Sequence, residues 1–135
     1  MKLSERKAIL AELPDPMCEE FLRALPRPRR TQRTLTDLPR LYDELEVTRA
    51  RRFAIDDEEN EDDIRCVGSS FLDRYGAVVG AVSVSAPVFT LSVADAIVLG
   101  SEVLKAATTV SRALGAPSAQ VRVSLRREDG LGAES

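Results

Sequence analysis

The 135-residue chain has no histidine and no tryptophan. Without histidine it lacks the commonest general base, the usual catalytic triads and the commonest metal ligand. Cysteine occurs only as Cys18 and Cys66. Two are too few for a disulfide framework, which fits a reducing compartment and a cytoplasmic location. No apolar run approaches the roughly 18 residues of a membrane span. The opening MKLSERKAIL lacks the apolar stretch of a secretory signal. Positive charge is not in excess either: 19 basic against 22 acidic residues give a net charge of −3. A domain that binds nucleic acid by itself usually carries a basic stripe, so direct DNA binding by this chain is not expected. What is present suits a single globular domain. Hydrophobic residues make up 44% and charged residues 30%, enough apolar material for one core at this length.

Ser4–Leu13 reads as a short helix. A second starts at Asp15, an N-cap followed by Pro16, and presents Met17, Phe21, Leu22 and Leu25 until Pro26 stops it. Residues 26–33, PRPRRTQR, form a Pro-broken basic loop, read as a solvated connector in preference to an anion or DNA contact. Thr36 or Asp37 caps a third helix, with Pro39 in its first turn and a stripe of Leu38, Leu41, Tyr42 and Leu45, ending near Arg52. From Phe53 the period becomes that of strands, at 53–57, 64–72 and 77–86. Tyr75-Gly76 turns the last two into an antiparallel hairpin. In the third strand Val78, Gly80, Val82 and Val84 face one way, and Val79, Ala81, Ser83 and Ser85 the other.

Ser92 with Asp95 opens the last long helix. Its stripe runs Val93, Ala96, Ile97, Gly100, Val103, Leu104, Ala107, Val110 and Leu114, and Gly115 and Pro117 end it. This rod of roughly 33 Å is expected across the sheet face that carries the valines. Residues 1–117 make the domain. Residues 118–135 are an extension, a possible strand at 119–127 and then a frayed tail.

Chemistry concentrates on the other sheet face. Ser83 and Ser85 project from it about 7 Å apart. Cys66 has the parity of Ile64 and Gly68, and Asp56 ends the preceding strand. If these strands are neighbours, the uncovered face gathers Ser83, Ser85, Cys66 and Asp56 around the small Ala81 and Gly68. Such a hollow suits a small oxyanion held by hydroxyls and backbone N–H groups, with the acid taking a hydroxyl or hydrated carbonyl. Small residues under a covering loop, each hydroxyl bonded to backbone, fit the pattern equally well.

The run from Asp56 to Asp63 is acidic at every position but Asn60. It suits a metal loop, a solvated turn or one rim of a ligand site. It lacks the glycine and spaced oxygens of a calcium loop and the N/S donors zinc prefers. A solvated turn with one or two acids pointing inward is expected, and no metal. Cys66 has no base beside it, and nearby acids raise a thiol pKa. No catalytic residue, cofactor or enzymatic activity is assigned.

Within this run Asp56 lies three before Glu59, Cys66 seven after Glu59 and Asp73 seven after Cys66, and Ser83 in AVSVSAP lies seventeen beyond Cys66. With KAILAELP near the start and AATTVSRALG near the end, the sequence resembles the effector-binding domain of the IclR family of bacterial transcription regulators, over about residues 4 to 115. The resemblance implies an α/β (α+β) fold of GAF/PAS-like type, a curved antiparallel sheet with helices on one face, incomplete at the N-terminus. It implies a small organic acid effector, sometimes aromatic, lined by Asp56, Cys66, Ser83 and Ser85 and the Ile64 backbone. It also implies function by ligand-biased assembly into dimers or tetramers; the alternative is a ligand-free interaction module, or a degenerate remnant, that pairs with intact regulators. The chain begins after the residues that match the family's winged helix-turn-helix and first strands. Ser4, Glu5 and Arg6 stand where a Gly-rich loop would hold the effector carboxylate, and Glu5 is expected to repel an anion. Arg52 replaces a usual glycine, and Ser70, Phe71 and Leu72 a Pro-Val-Phe pattern.

Overall fold

In the structure, a computed structural model, residues 3–24, 26 and 28–117 are described. Leu25 and the possible strand and tail at 118–135 lie outside them. The elements follow in the order α1 (Leu3–Glu12), α2 (Asp15–Ala24), α3 (Leu38–Arg51), β1 (Ala54–Asp57), β2 (Ile64–Leu72), β3 (Val78–Pro87) and α4 (Val93–Ala113). The sequence places each of these to within a residue or so at its ends. The sheet is antiparallel throughout, in the order β1-β2-β3. Asp73 shapes the β2–β3 turn: its Oδ1 accepts the N–H groups of Tyr75 (2.8 Å) and Ala77 (3.1 Å). Gly76 supplies the positive φ of 79° that the turn requires.

On one face α4 packs against Phe53, Ile55 and Val67, with Leu91, Ala96 and Val103 completing the cluster. A Cβ at Gly100 would come within 2.3 Å of the Phe53 ring, so the glycine lets that ring rest on the helix backbone. Ser92 caps α4 as expected, its side chain accepting the Asp95 N–H at 3.1 Å. The buried stripe is Ala96, Gly100, Val103, Leu104, Ala107, Thr108 and Ser111. Val93, Ile97 and Leu114, expected on it, stand half exposed, because a narrow three-stranded sheet covers only part of the helix surface. Ser111 is inside because its Oγ accepts the Leu72 N–H at 2.9 Å, beside the register irregularity at Phe71/Leu72.

The α/β class and the antiparallel sheet are as expected, but the helices are not confined to one face. Helix α1 covers the second face, the one read as uncovered. A Cβ at Gly68 would lie 3.0 Å from the Ser4 carbonyl carbon, so the missing side chain is what admits the helix backbone. The buried residues of α1 are Ser4, Lys7, Ala8 and Ala11, small except for Lys7. Beyond α1 a second core joins Ala11, Cys18, Leu22, Leu41 and Leu45. In α2 the expected face is off by one residue: Met17 and Phe21 are 47% and 45% exposed, while Cys18 and Leu22 are buried. Helix α3 ends at Arg52 with φ 71°, a left-handed conformation that suits glycine. Arg52 offsets that cost through contacts at 2.8 Å, its guanidinium to Glu12 and its carbonyl from Ser69 Oγ.

Candidate ligand-binding site

Strand register assembles the site. Asp56 pairs with Cys66, and Cys66 pairs with Ser85. In the next row Ala54 pairs with Gly68 and Gly68 with Ser83. The four side chains singled out in the sequence therefore share the face beneath α1 as immediate neighbours. Asp56 and Cys66 are buried, Ser83 is half-buried and Ser85 is exposed, so the row opens toward the free edge of β3. Cys66 Sγ and Ser85 Oγ are in hydrogen-bond contact at 3.0 Å. Ile64 has the parity of Cys66 and pairs with Pro87. Its backbone is committed to the acidic turn, its N–H reaching Glu61 O at 3.4 Å and its carbonyl accepting from Glu58 N at 3.1 Å.

Helix α1 adds two groups. Ser83 Oγ donates to Glu5 Oε1 at 2.6 Å, so Glu5 occupies a hydroxyl of the row. Ser4, whose backbone rests on Gly68, is wholly buried, and among the described residues its Oγ has no hydrogen-bond partner. Buried polar atoms are nearly always satisfied, which marks this position as incomplete.

Lys7 is the residue that sequence reasoning missed. Only 2% exposed, its Nζ lies 2.7 and 2.9 Å from the Glu59 carboxylate oxygens, 3.0 Å from Ile55 O and 3.4 Å from Glu44. The available signal was its place one turn after Ser4 on an otherwise small-residue face. Burial pushes the Glu59 carboxyl above its ordinary pKa, against the Lys7 charge. Burial likewise raises Asp56, opposed by backbone N–H groups of Glu59 and Asn60 and by Lys7. One of those bonds runs from Glu59 N to Asp56 Oδ1 at 2.9 Å. The acidic run thus sends Asp56 and Glu59 inward. Asp57 pairs with Arg65 (2.8 Å), Glu58 pairs with Arg33 (2.6 Å), and Glu61 and Asp62 face solvent. The basic connector buttresses this turn: Thr31 and Thr34 donate their hydroxyls to the carbonyls of Glu58 and Glu59.

Chemically the row offers hydroxyl donors, a thiol and a carboxyl, and its nearest cation is already neutralised by Glu59. Among the described residues no group of three His, Cys, Asp or Glu side chains is placed to hold a metal ion, and no helix is long and apolar enough to cross a membrane.

The family profile described as bacterial transcriptional regulator IclR C-terminal matches residues 4–112. The chain is 34% identical over 109 residues to the HTH-type transcriptional repressor AllR of Klebsiella pneumoniae, covering 81% of this chain and 40% of that protein. Among solved structures, the Thermotoga maritima IclR superposes with a TM-score of 0.74 at 38% identity, over 81% of this chain and 44% of that one. The Agobacterium tumefaciens repressor BlcR superposes with a TM-score of 0.78 at 27% identity, over 84% and 46%. The chain spans less than half the length of these three relatives. Fold, register and sequence agree: the chain belongs to the IclR family of bacterial transcriptional regulators and corresponds to its C-terminal domain.

Proposed function

We propose that this chain is the effector-sensing and association part of an IclR-type regulator acting in the cytoplasm, and that it takes a small organic or hydroxy acid between α1 and the sheet. Ser83, Ser85 and Cys66 donate to the ligand, Asp56 receives a ligand hydroxyl, and the Ile64 backbone borders the site. The observation that carries this reading is the buried Ser4 Oγ, which has no hydrogen-bond partner among the described residues, on a residue whose backbone rests on Gly68 in the polar row. A guest in that position satisfies Ser4 and competes with Glu5 for Ser83. Because Glu5 belongs to α1, its release shifts the helix population, and dimer or tetramer assembly follows that shift.

Thermal melting against glyoxylate, pyruvate and hydroxy acids tests this. A ligand at a hundred times its Kd adds about 2.7 kcal/mol, a rise of several degrees for a domain of this size. The rise is expected to vanish in Ser83→Ala. A shift that survives both Ser83→Ala and Ser4→Ala would place the ligand elsewhere. The Glu5–Ser83 bond favours a second reading, a ligand-free module that pairs with intact regulators, its site closed by its own carboxylate. Under that reading no acid moves the melt, even in Glu5→Gln.

A further inference from the structure

A cavity of about 130 Å³ runs along the α1 stripe of Leu3, Arg6, Lys7 and Leu10, and Ser4, Glu5, Cys66, Ser83 and Ser85 have no part in its lining. We propose that it is a second ligand site, for a compact monocarboxylate whose apolar part is about the size of a benzene ring. Its walls are leucines from three helices and the connector, Leu10, Leu22, Leu35 and Leu41. An apolar cavity of about 150 Å³ is known to accept benzene, so the volume sets the size of the guest.

The polar lining sets its charge. Lys7 and Glu59 line the cavity but neutralise each other at 2.7 Å. Thr34 is committed to the Glu59 carbonyl. Among the described residues two lining cations remain, Arg6 and Arg30. Both are exposed, and neither guanidinium has an ion-pair or hydrogen-bond partner among the described residues. Their neighbours differ: Arg29 bonds the Gln32 carbonyl at 2.9 Å and Arg33 pairs with Glu58 at 2.6 Å. Two uncompensated guanidiniums beside leucine walls match a carboxylate on an apolar body, since guanidinium binds carboxylate through paired, charge-assisted hydrogen bonds. The row under α1 presents hydroxyls, a thiol and a carboxyl in place of leucine walls, so the two sites differ in the body of the acid they accept: small and hydroxylated there, apolar here.

Benzoate is the probe, titrated into the isotope-labelled chain by NMR, with benzyl alcohol as the neutral counterpart. Benzoate is expected to bind one to one, with perturbed amides clustered on α1, α2 and the connector. Benzyl alcohol and the Arg6→Gln/Arg30→Gln variant are each expected to weaken binding at least roughly tenfold, the scale of hydrogen bonds to charged groups. Ser83→Ala is expected to leave benzoate affinity unchanged. That control separates this site from the one under α1, whose own probe is glyoxylate. Absence of benzoate binding, equal binding of benzyl alcohol, an unaffected arginine variant, or loss of binding in Ser83→Ala would each overturn the assignment.

Discussion

On the α4 side of the sheet, Phe53 lies against Gly100 in an apolar cluster with Ile55, Val67, Leu91, Ala96 and Val103, and the polar groups at its margin are bonded: Arg65 to the Leu91 carbonyl and Asp57, Ser69 to the Arg52 carbonyl. On the α1 side, the helix meets the sheet through Ser4 on Gly68, Glu5 on Ser83 and the Lys7 charge near Asp56. The first face is held by shape. The second is held by pairing charges and hydroxyls, and one hydroxyl is left over. The comparison teaches where function can enter: an interlocked face whose margin is already bonded resists a guest, while a polar face with an unsatisfied group accepts one.

The largest test of this contrast is Lys7→Met. It leaves Glu59 buried without its cation and Asp56 without the nearest opposing charge. Removing one partner of a buried pair costs roughly 3–5 kcal/mol. Urea unfolding is expected to show that loss as a lower midpoint at unchanged slope. Replacing both partners, as Lys7→Met with Glu59→Leu, should restore most of it, because an apolar pair of similar volume is often neutral or better. If the single variant is as stable as the parent, the α1 face is not held by this pair.

Gly100→Ala probes the other face. The added methyl meets the Phe53 ring at a distance no real contact adopts, and overpacking of this kind costs about 1–3 kcal/mol. The melt should fall while glyoxylate and benzoate responses, where present, remain. A neutral Gly100→Ala would mean that α4 rides over Phe53 more loosely than its shape match implies.

Much of the first face and the rows of the second were legible in the sequence, for local reasons. Ser92, Gly115 and a long apolar period define α4, and strict alternation set Ser83, Ser85, Cys66 and Asp56 on one parity. The cover over them was not legible. The sequence of α1, LSERKAILAE, has no apolar stripe to turn toward a sheet; its inward residues read as surface because Gly68 and a distant acid are what make them fit. Lys7 meets Glu59 across 52 positions and Glu5 meets Ser83 across 78, separations with no local signal. The face of α2 was misjudged because the larger Met17 and Phe21 outweighed Cys18, although a small thiol fits better in the narrow gap beside Ala11 and Leu22.

The smallest expected effect separates the faces by pH. Asp56 and Glu59 both titrate above their ordinary values, mainly through burial. Lys7 opposes the shift in each, while Asp57 adds to it at Asp56 and Asp56 adds to it at Glu59. A carboxyl with a raised folded pKa is bound more tightly by protons in the folded chain. Its contribution to stability is therefore complete below the unfolded pKa, about 3.9 for Asp and 4.3 for Glu, and is lost as pH rises through the folded value. Acidifying from neutrality toward that window should raise the melting temperature, until other paired carboxylates begin to protonate. Asp56→Asn removes one of the two contributions while its amide oxygen can still accept the Glu59 N–H. The profile of melting temperature against pH should become flatter, with the neutral end at or above the parent. Gly100→Ala, acting in the apolar cluster around Phe53 and away from Asp56 and Glu59, should lower the whole profile and leave its shape intact. If Asp56→Asn instead lowers the profile uniformly, Asp56 serves the acidic turn alone, and the polar row under α1 loses its buried acid as a ligand group.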